Sequence, residues 1–106
     1  MYKTVKTQTR PNLNVPFFDV GNSTEIAEST KLYYVDTYIN TGKVISQNAT
    51  VSEDGLVKSN TMIWRSQEDF DAFRNDEQIQ TGMMSITAAY NTTNGITSEL
   101  TISEEI

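Results

Sequence analysis

The alternation of apolar and polar positions between residues 44 and 75 predicts a β-hairpin followed by a helix. Val44 to Val51 and Leu56 to Trp64 are rich in β-branched residues, which is typical of strands. Between them lies Ser52 to Gly55, in which Asp-Gly supplies residues suited to the positive φ values of a tight turn. Neither face of the second strand is wholly apolar, which favours a sheet covered by helices on one side and only partly covered on the other.

A helix is predicted over Ser66 to Asn75. Ser66 is a good N-cap, and the acidic residues of the first turns suit the helix dipole. Phe70 and Phe73 are spaced as its core anchors. The acidic run is also compatible with a cation site, but a capped helix with a solvated face accounts for it.

Another helix is predicted between Ser23 and Thr41, although Thr24 to Thr30 can instead be a separate turn. Asn22 to Glu25 resembles a capping box. Gly42 follows the predicted helix, at a position where the chain commonly takes a positive φ after a helix end. Apolar residues recur at helical spacing at Leu32, Val35 and Ile39.

Three further strands complete the predicted order β-α-β-β-α-β-β. Tyr2 to Arg10 is the first and is ended by Pro11, which lacks an N–H for the ladder. Met83 to Tyr90 is predicted as the fourth strand, Asn91 to Gly95 as a turn, and Ile96 to Ile102 as the fifth strand. The length of 106 residues fits a single domain, 1–106.

This order predicts an α+β fold, a ferredoxin-like βαββαβ sandwich with an extra C-terminal strand. Apolar residues such as Ile63 and Met84 then need burial, which favours a homodimer packed through the open sheet face. The run from Trp64 to Phe73 resembles the third strand and second helix of dimeric α+β barrel proteins, which include antibiotic-biosynthesis-type monooxygenases. The resemblance implies that the last strand packs on or exchanges with the partner subunit.

Composition narrows the possible partners. The net charge is −6 and the pI about 4.4, so neither nucleic acid nor an anionic membrane surface is expected to bind. Basic residues lie early, at Lys3, Lys6 and Arg10, whereas none follows Arg74. A basic first strand beside an acidic last strand explains this distribution; an acidic partner-binding tail is the alternative. The Thr- and Asn-rich composition also resembles that of small marine phage or bacterial reading frames.

Several kinds of chemistry are missing from the chain. It has no Cys and no His, which excludes disulfides, thiolate nucleophiles, Ser-His-Asp triads and imidazole ligands. Neither a calcium-loop spacing of carboxylates nor a Gly-rich phosphate loop occurs. No catalytic residue, metal or cofactor is therefore predicted. No apolar run of about 18 residues and no apolar signal region are present, so a cytoplasmic protein is expected.

Aromatic residues remain as candidates for binding. The resemblance implies a pocket between helices and sheet for a small aromatic ligand, with Trp64 as a wall and tyrosine hydroxyls around it. The candidate pocket comprises Tyr34, Tyr38, Trp64, Arg65 and Tyr90. The alternative is that these residues are core and interface aromatics with polar tips. Phe17-Phe18 is either a plug over the core or a binding lip.

Three function classes stay open on this basis. The first is a small dimeric accessory or ligand-binding protein without catalytic machinery. The second is a cofactor-independent monooxygenase or isomerase acting on a small aromatic compound. The third is a phage-encoded structural or interaction module. A cavity of a few hundred Å³ would favour the enzyme, and a filled core would favour the other two.

Overall fold

The computed structural model describes residues 1–106 and contains one sheet of four antiparallel strands with helices packed on one face. The strands are β1 (Tyr2–Thr9), β2 (Val44–Val51), β3 (Val57–Trp64) and β4 (Thr97–Glu105). Their order in the sheet is β2-β3-β1-β4, with β1 antiparallel to both β3 and β4. This arrangement confirms the α+β ferredoxin-like sandwich. None of its helices is long and apolar enough to cross a membrane.

Two of the helices contain a π-helical segment. The chain forms α1 (Glu28–Tyr34), which continues into a first π segment, Val35–Ile39. After the hairpin comes α2 (Gln67–Arg74). A last continuous helix is built from α3 (Glu77–Ile79), a second π segment, Gln80–Met84, and α4 (Ser85–Asn94).

The strand predicted at Met83 to Tyr90 is wrong, because this segment belongs to the last helix. The residues that this helix buries recur every four positions, at Ile79, Met83, Thr87 and Asn91. Thr87 and Asn91 are polar, so the buried stripe is invisible to a hydrophobic pattern. The strand predicted at Ile96 to Ile102 is confirmed as β4, which takes the fourth place in the sandwich.

The first helix is confirmed, but its predicted beginning is not. The helix starts at Glu28, and Ala27 precedes it without a side-chain cap. Asn22 therefore caps no helix; its side chain donates instead to Asp19. The predicted stripe also points outward in part, since Leu32 is 59% exposed. The inward face is aromatic, with Tyr38 buried and Tyr34 packed against the core.

The hairpin and the second helix are confirmed. Ser66 caps α2 by accepting a hydrogen bond from the Asp69 N–H at 3.2 Å. In the turn, the Gly55 N–H donates to the Ser52 carbonyl at 2.9 Å. Within this turn, Gly55 has a positive φ of 76°, whereas Asp54 does not. The prediction assigned positive φ to both residues, but this turn needs only one left-handed residue, at its end.

The predicted neighbourhood of basic and acidic strands is confirmed. In the register of β1 and β4, Lys3 lies opposite Glu104. Opposite charges on directly facing residues stabilise a strand pair. The uneven charge distribution along the sequence therefore has a structural explanation within one subunit.

The core lies between the sheet and the helices. Trp64 and Ile79 are fully buried there, and the same cluster contains Tyr2, Tyr38, Val44 and Phe70. Tyr2 and Phe70 stack with ring centroids 5.7 Å apart. Phe70 and Phe73 thus act as the core anchors predicted for α2, with Phe73 half-buried.

Gly42 provides a first testable prediction. It follows the first π segment at φ 79°, and an added Cβ would meet nothing within 4 Å. A loss of stability on substitution would therefore come from the backbone and not from a steric clash with neighbours. Gly42→Val is expected to lower the free energy of unfolding by about 1–2 kcal/mol, because a β-branched residue resists the left-handed conformation. Gly42→Asn should cost less, because Asn tolerates the left-handed region. Equal stability of wild type and Gly42→Val in urea titrations would contradict this account of the helix end.

Candidate functional site

A surface groove of about 290 Å³ lies between the loop that precedes α1 and the α4 residue Tyr90. Its aromatic wall consists of Phe17, Phe18 and Tyr90. The rings of Phe18 and Tyr90 lie 5.0 Å apart, and the Tyr90 hydroxyl donates to the Pro16 carbonyl at 2.6 Å. The loop and the last helix are thereby fixed to each other, and both contribute aromatic surface to one concavity.

The opposite rim of the groove is polar and acidic. It is formed by Asp19, Asn22, Ser23, Thr24 and Glu25. The Asn22 side-chain amide donates to Asp19 Oδ2 at 2.7 Å, and this bond, with the backbone N–H of Asn22, holds the pKa of Asp19 below its usual range. Asp19 is consequently ionised at neutral pH. Arg10 and Lys58 already lie over the Phe17 ring, so a ligand with an aromatic ring and a cationic group would suit the Phe18 and Tyr90 part of the wall, opposite the carboxylates.

Basic side chains hold the groove loop in place. The Arg10 guanidinium donates to the carbonyls of Gly55 and Val15, at 2.8 and 3.1 Å. It also lies over the Phe17 ring, 4.6 Å from the centroid. Lys31 donates to the Ser23 carbonyl at 2.6 Å from the other side. The loop is thus held by Arg10, directly after β1, and by Lys31 on α1, which favours a preformed groove.

Three of the five predicted pocket residues come together, in a packed cluster. Tyr34, Tyr38 and Trp64 surround Phe73, with ring centroids 5.9, 5.3 and 5.2 Å from it. The indole N–H of Trp64 donates to Thr4 Oγ1 at 3.0 Å. Burial raises the pKa of Tyr34 to about 12. Because neighbouring rings fill this space, these aromatics act as core residues in the subunit.

The other two predicted pocket residues lie elsewhere. Arg65 forms a two-pronged ion pair with Asp69, at 2.8 and 3.2 Å. Tyr90 lines the surface groove described above. The structure therefore joins Tyr90 with Phe17-Phe18, the possible binding lip, and separates it from Trp64.

A carboxylate that the sequence analysis did not single out ties α1 to the last helix. The hydroxyls of Tyr33 and Tyr38 both donate to Asp76 Oδ2 at 2.6 Å. Asp76 Oδ1 accepts from the backbone N–H groups of Gln78 and Ile79 and so caps α3. The only sequence signal for this cluster was an Asp placed immediately before a helix.

The electrostatics of this cluster follow from its hydrogen bonds. Burial by itself would raise the pKa of Asp76, but the two phenols and the two backbone N–H groups outweigh it, so the pKa lies below its usual value. Burial, and then the bond to Asp76, raise the pKa of Tyr38. The bond to Asp76 is also the main cause that raises the pKa of Tyr33. At neutral pH the cluster is one carboxylate with two neutral phenols.

Asp76 should make stability depend on pH in the acid range. Because its folded-state pKa is depressed, its contribution is present above the unfolded pKa of about 3.9 and is lost as the pH falls through the folded value. Asp76→Asn is expected to be less stable at pH 7 and to lose less stability than wild type between pH 4 and pH 2. Urea unfolding across this range measures both, with the exposed Asp71→Asn as control. Parallel profiles for wild type and Asp76→Asn would contradict the prediction.

The sheet face opposite the helices is open. Tyr2, Thr4 and Trp64 point towards the helices, so the alternating residues of the strands point away from them. Val5 and Ile63, and Ile102 opposite Val5, form an apolar centre on this face. Three charged residues, Lys3, Glu99 and Glu104, lie on the same face. The other residues around the centre bear hydroxyls: Thr7, Thr9, Thr50, Ser59, Thr61, Thr97 and Thr101. A groove of about 270 Å³ lies at its β1–β4 end.

The chain was compared with protein-family models, curated sequences and solved structures. No protein-family model matches the chain, and no curated protein sequence matches it significantly. A solved structure of Rv0793 from Mycobacterium tuberculosis is similar, with 13% sequence identity and a TM-score of 0.44. The similarity covers 100% of this chain and 98% of that one.

Proposed function

We propose that this protein is a non-catalytic, homodimeric binding protein that takes a small aromatic ligand in the groove between the aromatic wall of Phe18 and Tyr90 and the acidic rim. The proposal rests on an aromatic wall that faces an acidic rim, in a loop held by Arg10 at Val15 and by Lys31 at Ser23. A volume of about 290 Å³ is near the lower end of the range for small-molecule sites. The proposed ligands are small aromatic amines, which carry a ring for the aromatic wall and a positive charge for the acidic rim.

The filled core supports a binding role over an oxygenase role. Trp64 is fully buried, and Phe73 occupies the space between Tyr34 and Tyr38. A cofactor-independent oxygenase needs its substrate held away from bulk water beside groups that stabilise an anion. The groove with aromatic and acidic walls opens instead to solvent, which suits reversible binding.

The homodimer is proposed to form through the open sheet face, as in dimeric α+β barrels. Val5, Ile63 and Ile102 provide an apolar centre, and the surrounding hydroxyls can satisfy one another across the interface. Val5 is already buried in the subunit, so packing two such faces would chiefly cover Ile63 and Ile102, which are partly exposed. The ligand groove lies at the helix side and stays accessible in this dimer.

Ligand-detected NMR tests the binding proposal. Saturation transfer is measured for phenethylamine, 3-phenylpropionate and hexylamine, which separate the contributions of ring and charge. We expect the strongest transfer to phenethylamine, a strong reduction in Phe18→Ala, and weaker binding in Asp19→Asn. Val35→Ala, at an exposed position of the first π segment outside the groove, serves as the control. Equal transfer to all three probes, or transfer unaffected by Phe18→Ala, would refute the groove as the site.

Light scattering tests the open-face dimer. The wild-type mass is expected to be at least twice the chain mass of 11.9 kDa at micromolar concentration. Ile63→Glu should halve the observed mass, because it puts a charge in the apolar centre. The new carboxylate would lie opposite Lys3, so the subunit itself should tolerate it. A wild type of 11.9 kDa would exclude the dimer.

A further inference from the structure

The two edges of the sheet differ in how they are protected against further pairing. Edge strands expose unpaired backbone groups, and proteins usually blunt them with charged side chains, Pro or bulges. β4 carries Glu99, Glu104 and Glu105. β2 contains no charged residue and no Pro, and every residue after Val44 is exposed. Its one irregularity is a register shift between Val44 and Ser46.

The backbone groups that β2 leaves free can be assigned from its ladder. The Ser52 N–H donates to the Val57 carbonyl at 2.8 Å, just beyond the end of the strand. In an antiparallel pair, hydrogen-bonded and non-hydrogen-bonded residues alternate. Asn48 and Thr50 therefore bond to β3, whereas Gln47, Ala49 and Val51 direct their N–H and carbonyl groups away from the sheet. These outward groups are a template for another strand.

We propose that β2 pairs antiparallel with β2 of a second copy of this chain, about a two-fold axis at Asn48. This register sets Gln47 opposite Ala49 of the partner subunit, so that outward groups meet outward groups. It also brings Ile45 of one copy beside Val51 of the other at both ends of the contact. Ile45 and Val51 are 52% and 54% exposed in the subunit and would be covered. The result is a continuous sheet of eight strands.

Charge selects a second β2 as the occupant. The chain has a net charge of −6, so most contacts between copies bring like charges together. Pairing two β4 strands would align six glutamates, whereas pairing two β2 strands aligns none. Contact of β2 with β4 of another copy would be head-to-tail and open-ended, whereas the two-fold contact closes on itself. The edge contact uses a surface distinct from the open sheet face, so the two can coexist.

A single-cysteine variant tests this pairing directly, because the chain has no Cys of its own. Asn48 on the two-fold axis would be a non-hydrogen-bonded pair with Cα atoms about 4.5 Å apart, within reach of a disulfide. Asn48→Cys is expected to form a covalent dimer as the main product under mild oxidation at micromolar concentration. Ser98→Cys, on the exposed β4 edge, should give at least fivefold less. Equal cross-linking at both positions would overturn the proposal.

The same experiment in the Ile63→Glu background separates this proposal from the open-face dimer. If Asn48→Cys still cross-links there, the edge contact is independent of the face contact. Loss of cross-linking in that background would show that the Asn48 contact came from face-to-face packing, and would overturn the edge proposal. A monomeric Ile63→Glu protein that cross-links only on concentration would support a weak edge contact.

Two substitutions at Ala49 add a blocking test. Ala49→Pro removes an outward N–H and leaves the ladder to β3 intact, so the subunit should fold and cross-linking through position 48 should fall at least fivefold. Ala49→Lys, at an exposed position, should reduce it similarly because two ammonium groups would meet near the axis. Circular dichroism confirms folding. Unchanged cross-linking in both variants would refute β2–β2 pairing.

Discussion

Trp64→Ala is expected to lower the free energy of unfolding by about 3–5 kcal/mol. The side chain is fully buried and lies between Phe70 and Phe73, with ring centroids 5.3 and 5.2 Å away. Truncation leaves a cavity that the neighbouring rings can fill only partly. A domain of this size has about 5–15 kcal/mol of stability in total, so the variant should be marginally folded.

Trp64→Phe separates packing from hydrogen bonding at this position. It keeps an aromatic ring but leaves the Thr4 hydroxyl without the indole donor, at a site where Thr4 is itself buried. The expected loss is about 1–3 kcal/mol. Because Trp64 is the only tryptophan, urea unfolding is followed by circular dichroism.

Leu32→Ala is the surface control for the Trp64 series. Leu32 is 59% exposed on α1, and its truncation should change stability by no more than about 0.5 kcal/mol. If Trp64→Ala lowers the free energy of unfolding by less than about 1 kcal/mol, or by no more than Leu32→Ala does, the aromatic core is not tightly packed around Trp64. The space beside Trp64 would then be open enough for an enclosed substrate chamber.

The hairpin and α2 were predictable because their signals are local. Gly55 supplies the left-handed residue that closes the turn, and Ser66 caps the helix that begins one residue later. The pairing of β1 with β4 was also predictable, but from charge: basic residues lie early in the chain and only acidic ones follow Arg74, and in the structure Lys3 lies opposite Glu104.

The last helix was mispredicted because its pattern is not a simple helical one. The second π segment shifts the helical phase, and the buried stripe then repeats every four residues with Thr87 and Asn91 in it. The apolar residues alone alternate between Met84 and Tyr90 as in a strand. Two end signals were nonetheless present, since Asp76 caps the helix at its start and Gly95 has φ 70° after its end.

The candidate site was predicted in pieces but not in its assembly. Phe17-Phe18 and Tyr90 were each singled out, yet their contact depends on how the loop folds over the end of the last helix. The bonds of Asp76 to Tyr33 and Tyr38 span 43 and 38 positions along the chain. Such contacts depend on the tertiary packing of α1 against α3, which no local pattern specifies.

Gly82→Ala is expected to destabilise the protein by about 1–3 kcal/mol. Gly82 lies in the second π segment where the last helix meets α1, and an added Cβ would be 2.8 Å from Thr30 Oγ1 and 3.0 Å from Thr30 Cγ2. Thr30 is itself buried on α1 and cannot move aside freely. The overlap should therefore outweigh the gain of about 1 kcal/mol that Ala usually brings to a helix interior.

Thr30→Ala provides the decisive background for this substitution. It removes both clashing atoms and leaves only the residue's Cβ, at 3.5 Å from the new methyl, which is ordinary contact. In this background Gly82→Ala should be neutral or stabilise by up to about 1 kcal/mol, so the coupling energy of the two substitutions is large. Gly21→Ala, where the nearest atom lies 3.6 Å away, controls for the general effect of replacing a glycine. If Gly82→Ala has the same effect with Thr30 and with Ala at position 30, close contact between α1 and the π segment does not set the helix spacing.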